Sequence, residues 1–396
     1  MKENSAIAVV GTFDSKAEEH LFLKERIEAR GLPVLMVNVG TKGPSPFVPD
    51  LDLFQRGKKT KSRDAAIQGT VERARTLIRD LQAEGKIAGI VSAGGGTGTH
   101  LATSIMRALP LGVPKVMVST VASRDMKNTV GTKDIMMIHS VVDLLGVNSI
   151  SGMILDKAAG AVCGMVKSRW KAKGKKKRIA LTFFGFVTKG AEEVKRSLEA
   201  MGYEVVPFHA NGTGGTAMEE LASEGHFDGI LDLAIHELAD ELMGGYCRGM
   251  GPQRLEPPTG RPVPRLVVPG GMDCAVFEFT RGTVPLEYRR RKLFFYDFRS
   301  AIRLNRKETL YLAAQVAEKL SLDPAHVKLL IPKRGFSEAD HENGPLFDPA
   351  TNGAFVRKLR KDLNTLLEIR EVDCHINDAA FARLASRMMD AMVRQS

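Results

Sequence analysis

The chain alternates short, nearly uninterrupted apolar runs with longer stretches in which apolar residues recur every three to four positions. The runs at residues 6–11, 33–39 ("PVLMVNV"), 89–93 ("GIVSA") and 114–120 ("PKVMVST") are short and show little polar alternation, as strands covered on both faces do. With amphipathic stretches between them, they predict a parallel sheet carrying helices on both sides. A lysine-rich stretch after Trp170 interrupts this pattern, and a fresh apolar run, "RIALTFFG" (178–185), follows it. Residues 11–43 and 183–215 then read alike: strand end, polar turn with lysine, helix, glycine, strand, Gly-Thr loop. Repetition over that length predicts a duplicated α/β architecture, two parallel-sheet domains at 1–175 and 176–396 facing an interdomain cleft.

In such sheets ligands gather beyond the carboxyl ends of the strands. In the first half those ends carry Gly11, Thr12, Asp14, Ser15 and Lys16, then Gly40 and Thr41, then Gly94, Gly95, Gly96, Thr97, Gly98 and Thr99, then Ser119 and Thr120. In the second they carry Thr182, Thr188 and Lys189, then "HANGTGGTAMEEL" (209–221), "DLAIHELAD" (232–240) and "VVPGGMD" (267–273). The run at 94–99 and the loop Asn211, Gly212, Thr213, Gly214, Gly215, Thr216 are read as matching sites in the two halves, each opening a helix. Bare amides plus a hydroxyl at a helix start suit a phosphate or carboxylate, and otherwise serve as tight turns. Neither loop has the Gly-Lys-Ser/Thr ending of a P-loop or the spaced dinucleotide fingerprint.

The ionisable candidates are Asp14, Lys16, Asp125, Asp134, His209, Asp232, His236, Glu237, Asp240 and Asp273. Asp14 and Asp273 read either as metal-phosphate ligands or as side chains capping their own loops. His209, directly before the second Gly-Thr loop, reads as an acid/base or ligand-touching group, or as a histidine bonded to backbone. Asp232, His236 and Asp240 have i, i+4 spacing, but Asp232 closes a strand, so the three do not define one helical face and no metal site is assigned. Asn377 or Asp378 is expected to cap the last helix, and the polar loop 334–349 to act as a lid or as surface decoration.

A length of 396 residues, with 43% hydrophobic and 26% charged positions, is the composition of a globular protein of two or three domains. No run approaches eighteen uninterrupted apolar residues, and the first residues lack the features of a signal peptide, so the expected setting is cytoplasmic, without membrane contact. Cys163, Cys247, Cys274 and Cys374 are too few for a disulfide framework and too widely spaced for a zinc knuckle. The formal charge of +11 is concentrated at 56–63, 171–178 and 288–292. The first two clusters have no interleaved aromatic residues to stack bases, so solvated charge is the reading and nucleic acid is not the expected partner.

The stretches "GTFDSKAEE" (11–19), "SAGGGTGTHLATSIMRALPLGVPKVMVSTVAS" (92–123), "VGTKDIMMIHSVVDLLGVN" (130–148), "HANGTGGTAME" (209–219), "GPQRLE" (251–256), "FDPAT" (347–351) and "CHINDAAFA" (374–382) together resemble the Tm-one-like ATP-binding family, named after a plant tobamovirus-resistance protein. The resemblance implies two Rossmann-like domains, a homodimer and nucleotide binding. The chain departs from the family pattern at Phe13 and Ser15, where Cys and Thr are usual. It departs again at Leu233-Ala234-Ile235-His236, where a threonine run is usual, and at Tyr296-Asp297-Phe298, where a His-Asn pair is. The Gly-Thr loops, the basic balance and the resemblance together point to ATP with Mg²⁺. The alternative is an enzyme acting on a small anionic metabolite such as a sugar acid or keto acid, with His209, Asp14, Lys16 and Asp273 as its acid/base or polarising groups.

Overall fold

The computed structural model describes residues 5–55, 62–170 and 174–396. Contacts divide the chain into two compact units at residues 172/173.

Unit 1 contains β1 (Ala6–Gly11), α1 (Phe13–Glu28), β2 (Val34–Asn38), β3 (Leu51–Asp52), α2 (Arg63–Ala83), β4 (Ile87–Gly94), α3 (Gly96–Met106), β5 (Lys115–Ser119), α4 (Lys127–Val130), β6 (Met136–His139) and α5 (Ser149–Lys167). Its strands form one parallel sheet in the order β3-β2-β1-β4-β5-β6. The apolar runs are continuous because both faces are buried. In β1, Ile7 and Val9 pack with Leu23 and Ile27 of α1 and Leu155 and Val162 of α5. Ala8 and Val10 pack on the other face with Ala74 and Ile78 of α2 and Ala102 and Ile105 of α3. Helix α5 is long and apolar enough to cross a membrane by length and composition alone, yet half of its apolar window is buried in this core. Its start is fixed by a reciprocal capping box between Asn148 and Ser151.

Unit 2 contains β7 (Arg178–Phe183), α6 (Thr188–Ala200), β8 (Glu204–His209), α7 (Thr213–Ser223), β9 (Gly229–Ala234), α8 (Glu237–Met243), β10 (Arg265–Gly270), β11 (Cys274–Phe277), β12 (Leu293–Phe295), β13 (Ser300–Arg303), α9 (Arg306–Leu320), β14 (Val327–Pro332), α10 (Pro349–Asp362), β15 (Glu368–Val372) and α11 (Ala379–Gln395). The main sheet is again parallel, ordered β15-β14-β10-β9-β7-β8. In each unit the second strand lies on one side of the first and the later strands extend on the other, so the two halves share a doubly wound plan. Unit 2 adds a small antiparallel sheet, β11-β13-β12, between β10 and β14.

Two expectations about loops need correction. The 334–349 loop is neither lid nor decoration: Phe336, Ser337, Ala339, Asp340 and Leu346 are all buried. Asp340 holds it together by accepting from the Phe336 amide (3.0 Å) and the Asn352 side chain (2.7 Å) and by pairing with Arg303 (3.2 Å). Asp378 does precede α11, but its carboxylate accepts from the His375 amide (2.8 Å) and makes no cap to the helix. Asn377 accepts from the Gly190 amide and donates to the Phe186 carbonyl, tying the turn to α6. Of the basic clusters, residues 56–61 and 171–173 lie outside the described residues. In the third, Arg291 pairs with Glu308 at 2.6 Å, so part of that charge is structural.

Candidate functional site

In unit 1 the strand order reverses between β1 and β4, and the loops leaving those two strands meet there, where a doubly wound sheet opens a crevice. Thr12, Asp14, Ser15, Lys16, Thr41, Lys42 and Gly95–Gly98 line a cavity of about 250 Å³. Helix α3 starts at this point. Gly95 is extended at its N-cap and supplies no capping side chain, and helix geometry leaves the amides of Gly96, Thr97 and Gly98 without intrahelical acceptors. Gly94 is needed for close approach, since a Cβ there would sit 3.0 Å from the Gly98 Cα. Gly96 faces open space, with nothing within 4 Å of an added Cβ.

The hydroxyls divide between lining and framework. Ser15 Oγ donates to Thr12 at the mouth of the crevice. Thr99 and Ser119 are buried and bonded to each other at 2.7 Å beneath the glycine run, and Thr120 donates its amide to the Gly94 carbonyl. Asp14 accepts from the amides of Lys42 (2.8 Å) and Gly43 (3.3 Å), so it shapes the loop that follows Gly40 and Thr41. Lys16 donates to the Leu144 carbonyl and lies 3.9 Å from Glu19, while Lys42 is an exposed cation at the rim. Asp125 accepts from the Lys127 amide, and Asp134 pairs at 2.6 Å with the fully buried Lys115, so both serve the framework.

His20 is a residue that sequence reasoning passed over, because a lone histidine in a charged helix looks solvated. It is fully buried against Gly11, with Nδ1 donating to the Lys16 carbonyl (2.6 Å) and Nε2 accepting from the Ala93 amide (3.4 Å). It thus braces the kink in α1 at Lys16 against the strand that ends in the glycine run. Burial pushes its pKa down from 6.5 to about 4. The neutral ring is the folded form, so its contribution is complete above pH 6.5 and is lost as the pH falls toward 4. That loss should reach roughly 3 kcal/mol. Urea denaturation at pH 7 and pH 4.5, for the parent and for His20→Gln, checks this: the variant should show a much flatter difference between the two conditions.

Unit 2 is arranged differently. The loop counterpart of 94–99 is the one after β9, Ile235–Glu237, because both follow the strand beyond the reversal; the Gly-Thr loop at 211–216 follows β8 and so corresponds to the Gly40-Thr41 loop. The two Gly-Thr loops are therefore not in matching places. The letter repeat, 11–43 against 183–215, itself sets the 211–215 loop against the Gly40-Thr41 loop, and the sheet order agrees with that pairing. The groups of the 211–216 loop are engaged within the protein. Asn211 accepts from the Gly214 amide, and Thr216 donates to the Gly212 carbonyl and accepts from the Gly251 amide. Gly212 has φ 80° and would carry a Cβ 2.7 Å from the Arg248 carbonyl. His209 is exposed at the end of β8, edge-on to Phe183, and desolvation and the nearby His236 and Arg299 lower its pKa.

At the unit 2 reversal, between β7 and β9, Phe184 stacks flat on His236 with centroids 4.2 Å apart, and both rings are buried. Beside them Asp232, Glu219 and Glu237 surround Arg254, at 2.6, 3.0 and 2.8 Å, and Arg265 pairs with Glu219. Every member of this network is at most 6% exposed. Asp273 is buried with Ser337 donating to it at 2.7 Å, and burial together with the Asp340 charge raises its pKa to about 6. The structure thus gathers Asp14, Lys16, Thr12, Thr41 and Gly95–Gly98 into one crevice of unit 1, and sets His209 and Asp273 in unit 2.

These features define a duplicated, doubly wound α/β protein whose first unit keeps an open crevice at its reversal. The chain belongs to the Uncharacterised protein family (UPF0261), matching that family's N-terminal domain over residues 5–171 and its C-terminal domain over residues 176–393. A UPF0261 protein of Clostridium tetani is 37% identical over 98% of this chain and 99% of its own length. The ToMV resistance protein Tm-1(GCR237) of Solanum lycopersicum is 31% identical over 94% of this chain, which spans 54% of that longer protein. Among solved structures, the UDP-N-acetylglucosamine 2-epimerase of Rickettsia bellii aligns over 99% of this chain and 96% of its own at 10% identity with a TM-score of 0.25, too slight a likeness for argument.

Proposed function

We propose that the chain binds a nucleotide, ATP with Mg²⁺, by its phosphates in the unit 1 crevice. The observation that carries this reading is convergence: the α3 N-terminus, with its free amides and positive dipole end, opens into the same cavity as Lys16, Lys42 and the Thr12 and Ser15 hydroxyls. Mg²⁺ is held through one or two carboxylates together with substrate phosphates. Asp14 is the carboxylate lining the cavity, and with its Oδ2 engaged by the Lys42 and Gly43 amides, Oδ1 is the oxygen that would serve the ion. The missing Gly-Lys-Ser/Thr ending argues for binding without rapid hydrolysis. Calorimetric titration of the folded chain with ATP and Mg²⁺ should give a saturable heat, and none at millimolar nucleotide overturns the reading.

The cavity's size favours a second reading. At about 250 Å³ it falls below the roughly 300–1,000 Å³ of sites that enclose drug-sized ligands, and suits a sugar acid or keto acid held by its carboxylate or phosphate. A thermal-shift panel separates the two: a ligand present at a hundred times its Kd stabilises by roughly 2.7 kcal/mol. A shift with sugar or keto acids and none with ATP selects the enzyme reading.

A further inference from the structure

We propose that His236, Asp240 and Cys247 form a binding site for a divalent transition metal, zinc foremost, in unit 2. His236 immediately precedes α8, Asp240 lies one helical turn on, and Cys247 sits in the loop beyond; all three are buried. Their ligand atoms lie within 4.8 Å of one another, with His236 Nε2 and Asp240 Oδ1 3.5 Å apart. Two donors bound tetrahedrally to one zinc at 2.0–2.3 Å stand about 3.5 Å from each other.

The hydrogen bonding around the imidazole shows that something positive belongs in the gap. His236 Nδ1 is 3.0 Å from the Gly271 carbonyl, which can only accept, so Nδ1 carries the hydrogen. In the neutral ring Nε2 is then a lone pair, has no hydrogen-bond partner among the described residues, and lies 3.5 Å from a carboxylate oxygen of Asp240. Two acceptors facing each other in a buried site repel unless a proton or a metal ion lies between them. The thiol of Cys247 favours the metal, because sulfur joined to imidazole and carboxylate is a donor set that zinc takes readily. The surroundings are those of a supported metal ligand set. The Gly271 carbonyl fixes the ring's tautomer, Phe184 stacks on its face, and Asp240 accepts from the amides of Cys247 (2.6 Å) and Val276 (2.7 Å). This site is independent of the unit 1 crevice, and its test leaves the nucleotide reading untouched.

The test uses the full chain, stripped with chelator, dialysed against zinc chloride and analysed for bound metal. One zinc per chain is expected. Cys247→Ser and His236→Gln should each weaken zinc binding by on the order of a hundredfold or more, since even outer-shell changes cost 10–100-fold. Cys163→Ser, a buried thiol of unit 1, should bind zinc as the parent does. Cobalt(II) loaded into the parent chain should give an intense sulfur-to-metal charge-transfer band, a readout that needs no variant to fold. A folded parent that holds no zinc, a cobalt spectrum without that band, or unchanged zinc in both variants overturns the site; in the first case a proton fills the gap.

Discussion

Replacing Arg254 by methionine should lower the melting temperature of the chain by roughly 10 °C or more. The guanidinium is fully buried and holds Asp232, Glu237 and Glu219 together, so its loss leaves three carboxylates in the interior with Arg265 as the remaining guanidinium of the network. Removing one partner from a buried ion pair costs about 3–5 kcal/mol, and a domain of this size shifts by roughly 2–4 °C per kcal/mol. Arg254→Lys should recover only part of the loss, because a point ammonium cannot meet three acceptors with a planar fork. Differential scanning calorimetry of the three proteins checks this; a methionine variant that melts with the parent would show that the network contributes nothing net.

Gly96→Val should abolish ligand binding while leaving the fold intact. A Cβ added at this position has no protein atom within 4 Å, so the valine is accommodated in the open space beside the helix start and obstructs the approach of an anion. A branched residue at the first helical position costs well under about 1 kcal/mol. Thr97→Val, which keeps the amides and removes a hydroxyl, should weaken binding by roughly 1.5–3 kcal/mol. Calorimetry with ATP and Mg²⁺ alongside thermal melts decides. If Gly96→Val binds as the parent does, or fails to fold, the glycines at this helix start are turn residues only.

Much of the fold could be read from the chain because double burial makes each parallel strand a dense apolar run, as in Ile7–Val10. The two-residue edge strand β3 and the polar-ended β13 carry no such run, while the apolar strands β6, β11 and β12 are only three or four residues long and β12 directly follows the basic segment at 288–292, which disguises it as a solvated loop. Glycines and hydroxyls in sequence announced the crevice, since they are local. The residues that brace it or replace it could not be announced that way. His20 meets Ala93 across 73 positions, and Arg265 meets Glu219 across 46. A buried arginine is indistinguishable from a surface one until the partner carboxylates, on other elements, are brought beside it. The same distance effect explains the loop at 334–349, whose polar letters include the aspartate that buries it.

The stack of Phe184 on His236 also bears on how the two halves of a duplicated chain can change. Both halves share one strand plan, and at its reversal unit 2 buries two stacked rings where the loops of unit 1 present glycines and hydroxyls. The proposed ligand site and the buried stack therefore make opposite demands: added bulk would harm the first, and lost bulk the second. With a ligand in the unit 1 crevice, as proposed, the first half would change with that ligand while the second kept its packing.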